Sequence, residues 1–286
     1  MHPQTWTNTL QKLTREAYFG QFVQQANALW QKEQIERQRF IDEIPDDVKA
    51  EFINGKIIMS SPNYNHHLIV LDNLHKLISN YVFTNDLGFV GGEKACCRFT
   101  RNDYEPDLSF WRKEISQHFE NEQYLFPVPD LIVEVLSSST KRRDRTIKFN
   151  DYALHGVKEY WMVEPKSERF LVEQFTLSGK EYKLHNKLSE GKLSSVVLKG
   201  FSLKVEWLSI IGKADQIITE TSQLKGEKKG IEIGETKGIQ IGIEREQEKA
   251  ILNLHQKLNL TPQQIAETLD IPLIIVQKTL KENNKK

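Results

Sequence analysis

The stretch from residue 129 to residue 137, PDLIVEVLS, constrains the fold of this chain more than any other. Its run of branched apolar residues between a proline and a serine predicts a strand that carries Glu134 in its interior. Beyond it, four residues recur at a spacing of four, as on one face of a helix: Asp144, Lys148, Tyr152 and Gly156. A strand that leads into such a helix places carboxylates beside a lysine, so this region is predicted to hold a functional site.

The composition is typical of one substantial domain with appendages. Of the 286 residues, 38% are hydrophobic, which is enough for a packed core. There is no charged start followed by an apolar run and no uninterrupted apolar stretch of about 18 residues, so we expect a cytoplasmic protein without membrane spans. Cys96 and Cys97 are adjacent and would point to opposite faces of a strand, so packing is expected rather than a disulfide or a shared metal.

The first half of the chain alternates between helical and strand patterns. Helices are predicted up to Ile44, where an apolar stripe between Phe19 and Trp30 is expected to pack, and from His67 to Tyr81. Between them, Asn54-Gly55 supplies the left-handed residues of a tight hairpin turn. Strands are predicted within 89–99 and 108–111, and the polar segment 115–127 is expected to loop over the surface.

After the strand at 131–136, a helix is predicted from about Thr140 to Leu154, with Gly156 as its C-cap. Strand patterns follow at 160–163, 169–176 and 180–188, the last two joined by a turn at Ser178-Gly179. The order helix, hairpin, helix, strands, helix, strands favours an α/β (α+β) fold in which helices flank a mixed sheet.

Two acidic residues are the strongest candidates for metal ligands. Asp107 immediately precedes an apolar strand, and Glu134 lies inside another, so both would sit on rigid elements. A carboxylate in an apolar strand is costly unless it is paired, metal-bound or on an exposed face. Mg²⁺ prefers carboxylate oxygens, Mn²⁺ accepts the same ligands, and an ion held in this way activates water for phosphodiester hydrolysis.

Two further residues near these acids have two interpretations each. Asp130 shares the Glu134 face of the strand and is either a second acidic contributor or a polar residue at the strand start. Lys148 follows Asp144 by four residues, so it either reaches the scissile phosphate and attacking water or forms an ion pair within the helix. A surface pair of that kind contributes only a few tenths of a kcal/mol, roughly, and does not decide between them.

A local basic cluster is the candidate for nucleic-acid contact. The 39 basic and 39 acidic residues cancel, so attraction to DNA must come from a patch rather than from net charge. The patch nearest the predicted site would bind backbone phosphates, or it is a solvated helix start; it consists of Lys141, Arg142, Arg143, Arg145 and Lys148.

Taken in order, the motifs resemble the Uma-type restriction endonuclease family of the PD-(D/E)XK nuclease superfamily, over about residues 51–205. The resemblance rests on segments that start with Glu51-Phe-Ile-Asn-Gly and Ser61-Pro62 and continue through His67, Leu74, Pro106-Asp107-Leu-Ser, residues 129–137, Asp144, Lys148, Tyr152, Gly156-Val157 and Glu159-Tyr-Trp161. It implies a restriction-endonuclease-like core, with Asp107 and Glu134 as magnesium ligands.

The chain departs from the superfamily pattern at one position. A lysine is expected two residues after the glutamate, but position 136 is Leu, so the resemblance implies that Lys148 carries this role from the following helix. Glu51, His67, Asp130, Asp144 and Tyr152 are possible supporting residues. For His67, a helix cap or a core contact is the alternative.

The C-terminal third lies outside the resemblance. Glycine recurs at 226, 230, 234, 238 and 242, which indicates either a self-associating helix or a loose linker. Thr261-Pro-Gln-Gln264 predicts a capping box, and the helices around it resemble a helix-turn-helix that contacts DNA or protein. The predicted domains are a helical extension (1–45), a nuclease domain (46–210), the glycine repeat (211–245) and a small helical module (246–286).

These observations predict a Mg²⁺-dependent DNA endonuclease. The alternative is a noncatalytic DNA-binding or assembly protein that keeps the fold while its tail makes the functional contacts. In either case, the glycine repeat and the C-terminal helices are candidates for forming a homo-oligomer. A glycosidase also uses two carboxylates, but the basic cluster and the shortage of exposed-looking aromatic residues near the acids argue against a sugar substrate.

Overall fold

A computed structural model describes residues 3–45, 48–166 and 169–283. The chain divides after Ile218 into two compact units. The first contains all of the strands in the described residues, and the second consists of helices. None of the described helices is both long enough and apolar enough to cross a membrane.

A six-stranded sheet forms the centre of the first unit, in the order β11-β10-β9-β8-β6-β3. Its neighbours are antiparallel except for the parallel pair β8 and β9. The strands are β3 (Gly88–Gly92), β6 (Leu108–Arg112), β8 (Leu131–Val135), β9 (Glu159–Lys166), β10 (Arg169–Ser178) and β11 (Glu181–Leu188). This mixed sheet confirms the predicted α/β class.

A second sheet of five short strands has the order β2-β1-β5-β4-β7. Its strands are β1 (Ala50–Ile53), β2 (Lys56–Met59), β4 (Cys96–Arg98), β5 (Asp103–Tyr104) and β7 (Leu125–Phe126). The predicted hairpin is confirmed: Asn54 and Gly55 have φ angles of 50° and 77°, the left-handed pair that this turn needs. β12 (Lys192–Ser194) and β13 (Ser202–Lys204) form a separate pair.

Helices cover both faces of the six-stranded sheet. On one face, α3 (Asn65–Thr84) packs through an apolar stripe that includes Val70 and Leu74, against β8 residues such as Val133. On the other face, Ile132 packs with Tyr152 of the helical segment that follows β8. Because side chains alternate along a strand, Glu134 shares the face of Ile132 and points toward that segment.

The helical segment after β8 is continuous but irregular. It consists of α5 (Lys141–Arg143), a wide π-helical turn (Asp144–Lys148) and α6 (Phe149–His155). Gly156 ends it with a φ of 89°, as its predicted C-cap role requires. Such π turns occur mostly as single turns within α-helices, and this one carries Asp144 and Lys148 at its two ends.

Two packing expectations were wrong. The apolar stripe of α2 (Phe19–Glu43) is exposed in the described chain: Leu29 is 69% and Trp30 is 39% accessible. The segment 115–127 is also more than a surface loop, because it contains α4 (Lys113–Ser116) in part and strand β7, and its Phe119 packs on the buried Trp111. The aromatic residues in an otherwise polar segment account for this packing.

The second unit consists mainly of three helices. Residues from 219 onward complete α7 (Lys213–Leu258), so the glycine repeat lies in a helix, and α8 (Pro262–Leu269) and α9 (Leu273–Asn283) follow. The predicted capping box between Thr261 and Gln264 is confirmed. A small core holds the three helices together through Ile251, Ile265, Val276 and Leu280.

Candidate active site

The pairing of β6 with β8 brings the two predicted acidic residues to the same end of the sheet. Leu108 of β6 lies opposite Val133 of the antiparallel strand β8. Asp107, one residue before Leu108, therefore lies beside the C-terminal end of β8. The backbone N–H of Val135 donates a hydrogen bond of 2.7 Å to Asp107 Oδ2. Asp107 and Glu134 are each only 4% exposed, and both line the same small cavity.

Lys148 lies among three buried carboxylates. Its Nζ is 2.7 Å from Glu51 Oε1, 2.8 Å from Glu134 Oε1 and 3.4 Å from Asp144 Oδ1. Tyr152, one helical turn later, donates its hydroxyl to the same Glu134 oxygen at 2.9 Å. The predicted residues Glu51, Glu134, Asp144, Lys148 and Tyr152 are therefore brought together, from β1, β8 and the irregular helical segment.

This cluster carries more negative charge than its lysine neutralises. Burial raises the pKa of Glu134 and of Asp144, against the opposing effect of Lys148. Burial would lower the pKa of Lys148, but the charges of Glu134, Glu51 and Asp144 raise it well above its ordinary value. An ammonium among three carboxylates leaves an excess of two negative charges when all are ionised, and a further cation would relieve this excess.

Asp107 faces a second group of polar residues. Its Oδ1 accepts a hydrogen bond of 2.6 Å from Lys49 Nζ, which is also 3.2 Å from Glu93 Oε1. His67 Nε2 lies 3.7 Å from Asp107 Oδ2. One potential ligand atom from each of His67, Glu93 and Asp107 falls within 4.8 Å of the others, so these three groups are a candidate metal site.

The chemistry of these donors fits a divalent metal. Asp107 and Glu134 supply carboxylate oxygens, the donors that Mg²⁺ and Mn²⁺ use in proteins. His67 is 96% buried, yet the described residues offer neither of its ring nitrogens a hydrogen-bond partner. A buried polar atom without a partner is costly, so an imidazole left open beside carboxylates is suited to a cation.

Two cavities meet at Asp107. The inner one has a volume of about 30 Å³ and is lined by Glu51, Glu134 and Lys148, among others. The outer one is a cleft of about 800 Å³ whose lining includes Glu93 and Asp107. Asp107 thus lies at the boundary between a wide cleft and the buried carboxylates.

Other predicted residues lie away from this group or have partners of their own. Asp130 precedes the opposite end of β8, where its carboxylate pairs with Arg112 and with Lys158, so the structure does not bring it to Glu134. In the basic cluster, Lys141 pairs with Glu164 at 2.7 Å, and Arg145 pairs with Glu173. Arg142 is exposed, and Arg143 is half-buried.

Lys49 and Glu93 are polar neighbours of Asp107 that sequence reasoning missed. Lys49 directly precedes β1, and Glu93 directly follows β3. Neither stands out from the 39 basic and 39 acidic residues of the chain by periodicity or motif. The strand register reveals Glu93, because Gly92 pairs with Leu108 and places Glu93 beside Asp107, whereas Lys49 is revealed only by its contact with Asp107.

The fold is that of an α/β protein whose mixed sheet gathers buried carboxylates and a lysine at the end of two paired strands. The chain matches the family model described as "Uma2: Putative restriction endonuclease" over residues 33–206 and belongs to that family. Membership of this family supports a nuclease, and a restriction-endonuclease-like family implies a divalent metal.

Among solved structures, the chain is similar to a crystal structure of a "putative nuclease" from Anabaena variabilis. The two are 20% identical with a TM-score of 0.48, and the alignment covers 56% of this chain and 89% of that chain. No curated protein matches the chain.

Proposed function

We propose that this protein is a metal-dependent DNA endonuclease that hydrolyses phosphodiester bonds. The observation that carries the proposal is the pairing of β6 with β8, which places Asp107 against Val135 and next to Glu134, with Lys148 in contact with the glutamate. Family membership supports the same chemistry. Asp107, Glu134 and Lys148 are the proposed catalytic residues.

Asp107 and Glu134 would hold the ion, which is Mg²⁺ or Mn²⁺ in this proposal. The ion, when bound, supplies an activated water and neutralises charge on the phosphate. The Val135 N–H fixes the orientation of the Asp107 carboxylate. Lys148 and Tyr152 both donate to one oxygen of Glu134, Oε1, which orients the other oxygen.

Lys148 has a second role in the proposal. Its Nζ lines the inner cavity and stays protonated because three carboxylates surround it, raising its pKa. An ammonium there would steady the charge that develops on a phosphate or on the attacking water. Glu51 and Asp144 position this ammonium by sharing it with Glu134.

DNA would be held through phosphate contacts of the basic cluster. Arg142 and Arg143 have no ion pair among those in the described chain, whereas Lys141 and Arg145 would have to share their charge with Glu164 and Glu173. We therefore expect Arg142 and Arg143 to contribute more to DNA affinity than the other two. Removing a phosphate contact weakens binding to all sequences and lowers its salt dependence.

The alternative is a noncatalytic DNA-binding or assembly protein that keeps this fold. One observation favours it: Lys148 and Tyr152 already occupy Glu134 Oε1, and the cavity beside them holds only about 30 Å³. In that case the paired charges would serve stability, and the helical second unit would make the functional contacts.

Incubation of the full chain with supercoiled plasmid and with oligonucleotides distinguishes the two. The nuclease proposal predicts cleavage in Mg²⁺ or Mn²⁺ and none with chelator. DNA binding without cleavage on duplex, single-stranded and branched substrates, in either ion, would reject the enzyme in favour of the alternative.

A further inference from the structure

The side chains of His67 and Glu93 converge on Asp107 and make no ion pair with Lys148, although His67 also lines the inner cavity. His67 comes from the first turn of α3, Glu93 follows the end of β3, and Asp107 precedes β6. Since β3 and β6 are paired up to Gly92 and Leu108, Glu93 and Asp107 extend side by side from a rigid ladder. Three separate elements thus deliver one potential ligand atom each to a space less than 4.8 Å across.

The separation of these atoms suits a cation better than direct contact. At 3.7 Å, His67 Nε2 and Asp107 Oδ2 are too far apart for a hydrogen bond. Ligand atoms that lie roughly 2.1 Å from a shared divalent ion are themselves about 3 to 4 Å apart. His67 is buried, and the described residues give its ring nitrogens no hydrogen-bond partner, so an ion at this position would satisfy a nitrogen that the protein leaves open.

Lys49 lies where such an ion would be attracted. Its Nζ bridges Asp107 Oδ1 at 2.6 Å and Glu93 Oε1 at 3.2 Å. A lysine ammonium is a compact point charge on a flexible stem, so it can neutralise two carboxylates and can also leave them. An ammonium and a divalent ion compete for the same oxygens, because a close approach of the two cations is repulsive.

The outer cleft reaches two of the three candidate ligands from solvent. Glu93 and Asp107 both line the cleft of about 800 Å³, and the Glu93 side chain is 34% exposed. The Lys49 side chain is 21% exposed, so it is not sealed in the interior. An ion would therefore enter from the cleft while Lys49 withdraws.

We propose that His67, Glu93 and Asp107 form a divalent-cation site, and that Lys49 holds the place of the ion until the ion displaces it. The site shares Asp107 with the proposed catalytic centre and adds a cation position to it, but it does not depend on cleavage. One imidazole and two carboxylates are a donor set that favours Mn²⁺ and other transition ions over Mg²⁺.

The first test measures the affinity of the full, metal-stripped chain for Mn²⁺ by calorimetry. Lys49→Met removes the competing charge and is expected to tighten binding about tenfold, which corresponds to about 1.4 kcal/mol. His67→Gln removes a ligand and is expected to weaken binding by at least about tenfold. Lys56→Met, at an exposed lysine of β2, is the matched control and should bind as the wild type does.

The second test identifies the nitrogen ligand directly. Mn²⁺ electron paramagnetic resonance on chain labelled with ¹⁵N-histidine should show coupling to one imidazole, and this coupling should vanish in His67→Gln. His75 also lines the cleft, so His75→Gln is the matched control and should keep the coupling. Circular dichroism of each variant verifies that it is folded.

Any of three results would overturn the proposal. The first is that the wild type binds no Mn²⁺ at all, and the second is that Lys49→Met binds Mn²⁺ no more tightly than Lys56→Met does. The third is that the coupling of Mn²⁺ to an imidazole nitrogen survives in His67→Gln. These results are separable from the proposed function. If the wild type cleaves DNA while the variants bind Mn²⁺ like the wild type, this site is rejected and the nuclease stands. If the affinities shift as expected but no DNA is cleaved, the site stands and the nuclease is rejected.

Discussion

Lys148 and its three carboxylates show how one side chain allows several buried charges to coexist. Glu51, Glu134 and Asp144 are each less than a tenth exposed, and the ammonium lies within 3.4 Å of an oxygen of each. Buried carboxylates without a cation would take up protons or destabilise the fold. Lys148 is therefore expected to support the stability of the protein as well as its proposed chemistry.

Replacement of Lys148 by Met should lower the free energy of unfolding by about 3–5 kcal/mol at pH 8, because it leaves buried carboxylates unpaired. Burial already raises the pKa of Glu134 and Asp144, and a carboxyl with a folded-state pKa above its unfolded value destabilises the fold as pH rises through that range. The loss should hence be smaller at pH 5 than at pH 8. Urea denaturation at the two pH values measures it.

Lys56→Met serves as the control for that experiment, because this lysine is exposed. If Lys148→Met lowers the free energy of unfolding at pH 8 by no more than Lys56→Met does, the carboxylate cluster does not need the Lys148 ammonium for stability.

The irregular helical segment after β8 depends on contacts with the sheet. Its π-helical turn carries Asp144 and Lys148 into the cluster, while Arg145 points to Glu173 of β10. Glu173 also accepts a hydrogen bond of 3.0 Å from Lys187 of β11. Glu173 thus joins the helical segment to two strands near the sheet edge.

Glu173→Gln should cost about 1 kcal/mol of unfolding free energy at pH 7. Burial would raise the pKa of Glu173, but its contacts with Lys187 and Arg145 lower it below the ordinary value. A carboxyl group whose pKa is lower in the folded state than in the unfolded state stabilises the fold at pH values above its unfolded-state pKa of about 4.3. This stabilisation is lost as the pH falls through the folded-state pKa. The difference between wild type and variant should therefore shrink as pH falls below about 4.3.

Thermal or urea unfolding between pH 3 and pH 8 measures this difference. Glu181→Gln, at an exposed position of β11, is the control. A difference for Glu173→Gln that persists unchanged to pH 3 would show that charge is not its cause.

Residues 1–218 contain every proposed site residue, and the C-terminal unit has its own small core. The start of α7 is tied to the first unit, because the Ala214 N–H donates to Asn73 Oδ1 at 2.9 Å. A chain that ends at Ile218 keeps this contact. It is expected to fold and to retain metal-dependent cleavage.

Circular dichroism and the plasmid assay on this shortened chain measure both properties, with the full chain as control. If it folds but loses cleavage at saturating DNA, the second unit takes part in catalysis. Weaker DNA binding alone would assign the second unit to DNA contact.

Across the whole molecule, sequence patterns predicted elements better than long-range neighbours. The Asn54-Gly55 hairpin and α3 follow from local turn chemistry and periodicity, and both are confirmed. The approach of Glu93 to Asp107 depends on the register of β3 with β6, and the approach of Lys49 depends on a contact between distant parts of the chain; no local pattern carries either. The prediction that the apolar stripe of α2 packs was wrong because periodicity shows only that a helix face is apolar. It does not show whether another part of the chain covers that face.

The most direct test of the central claim compares the rates at which the wild type, Glu134→Gln and Glu181→Gln cleave duplex DNA under single-turnover conditions, in Mg²⁺ and in Mn²⁺. Because Glu134 is a proposed metal ligand and Glu181 is exposed on β11, we expect Glu134→Gln to be at least about 100-fold slower and Glu181→Gln to match the wild type. Cleavage by Glu134→Gln at the wild-type rate would contradict the assignment of this site.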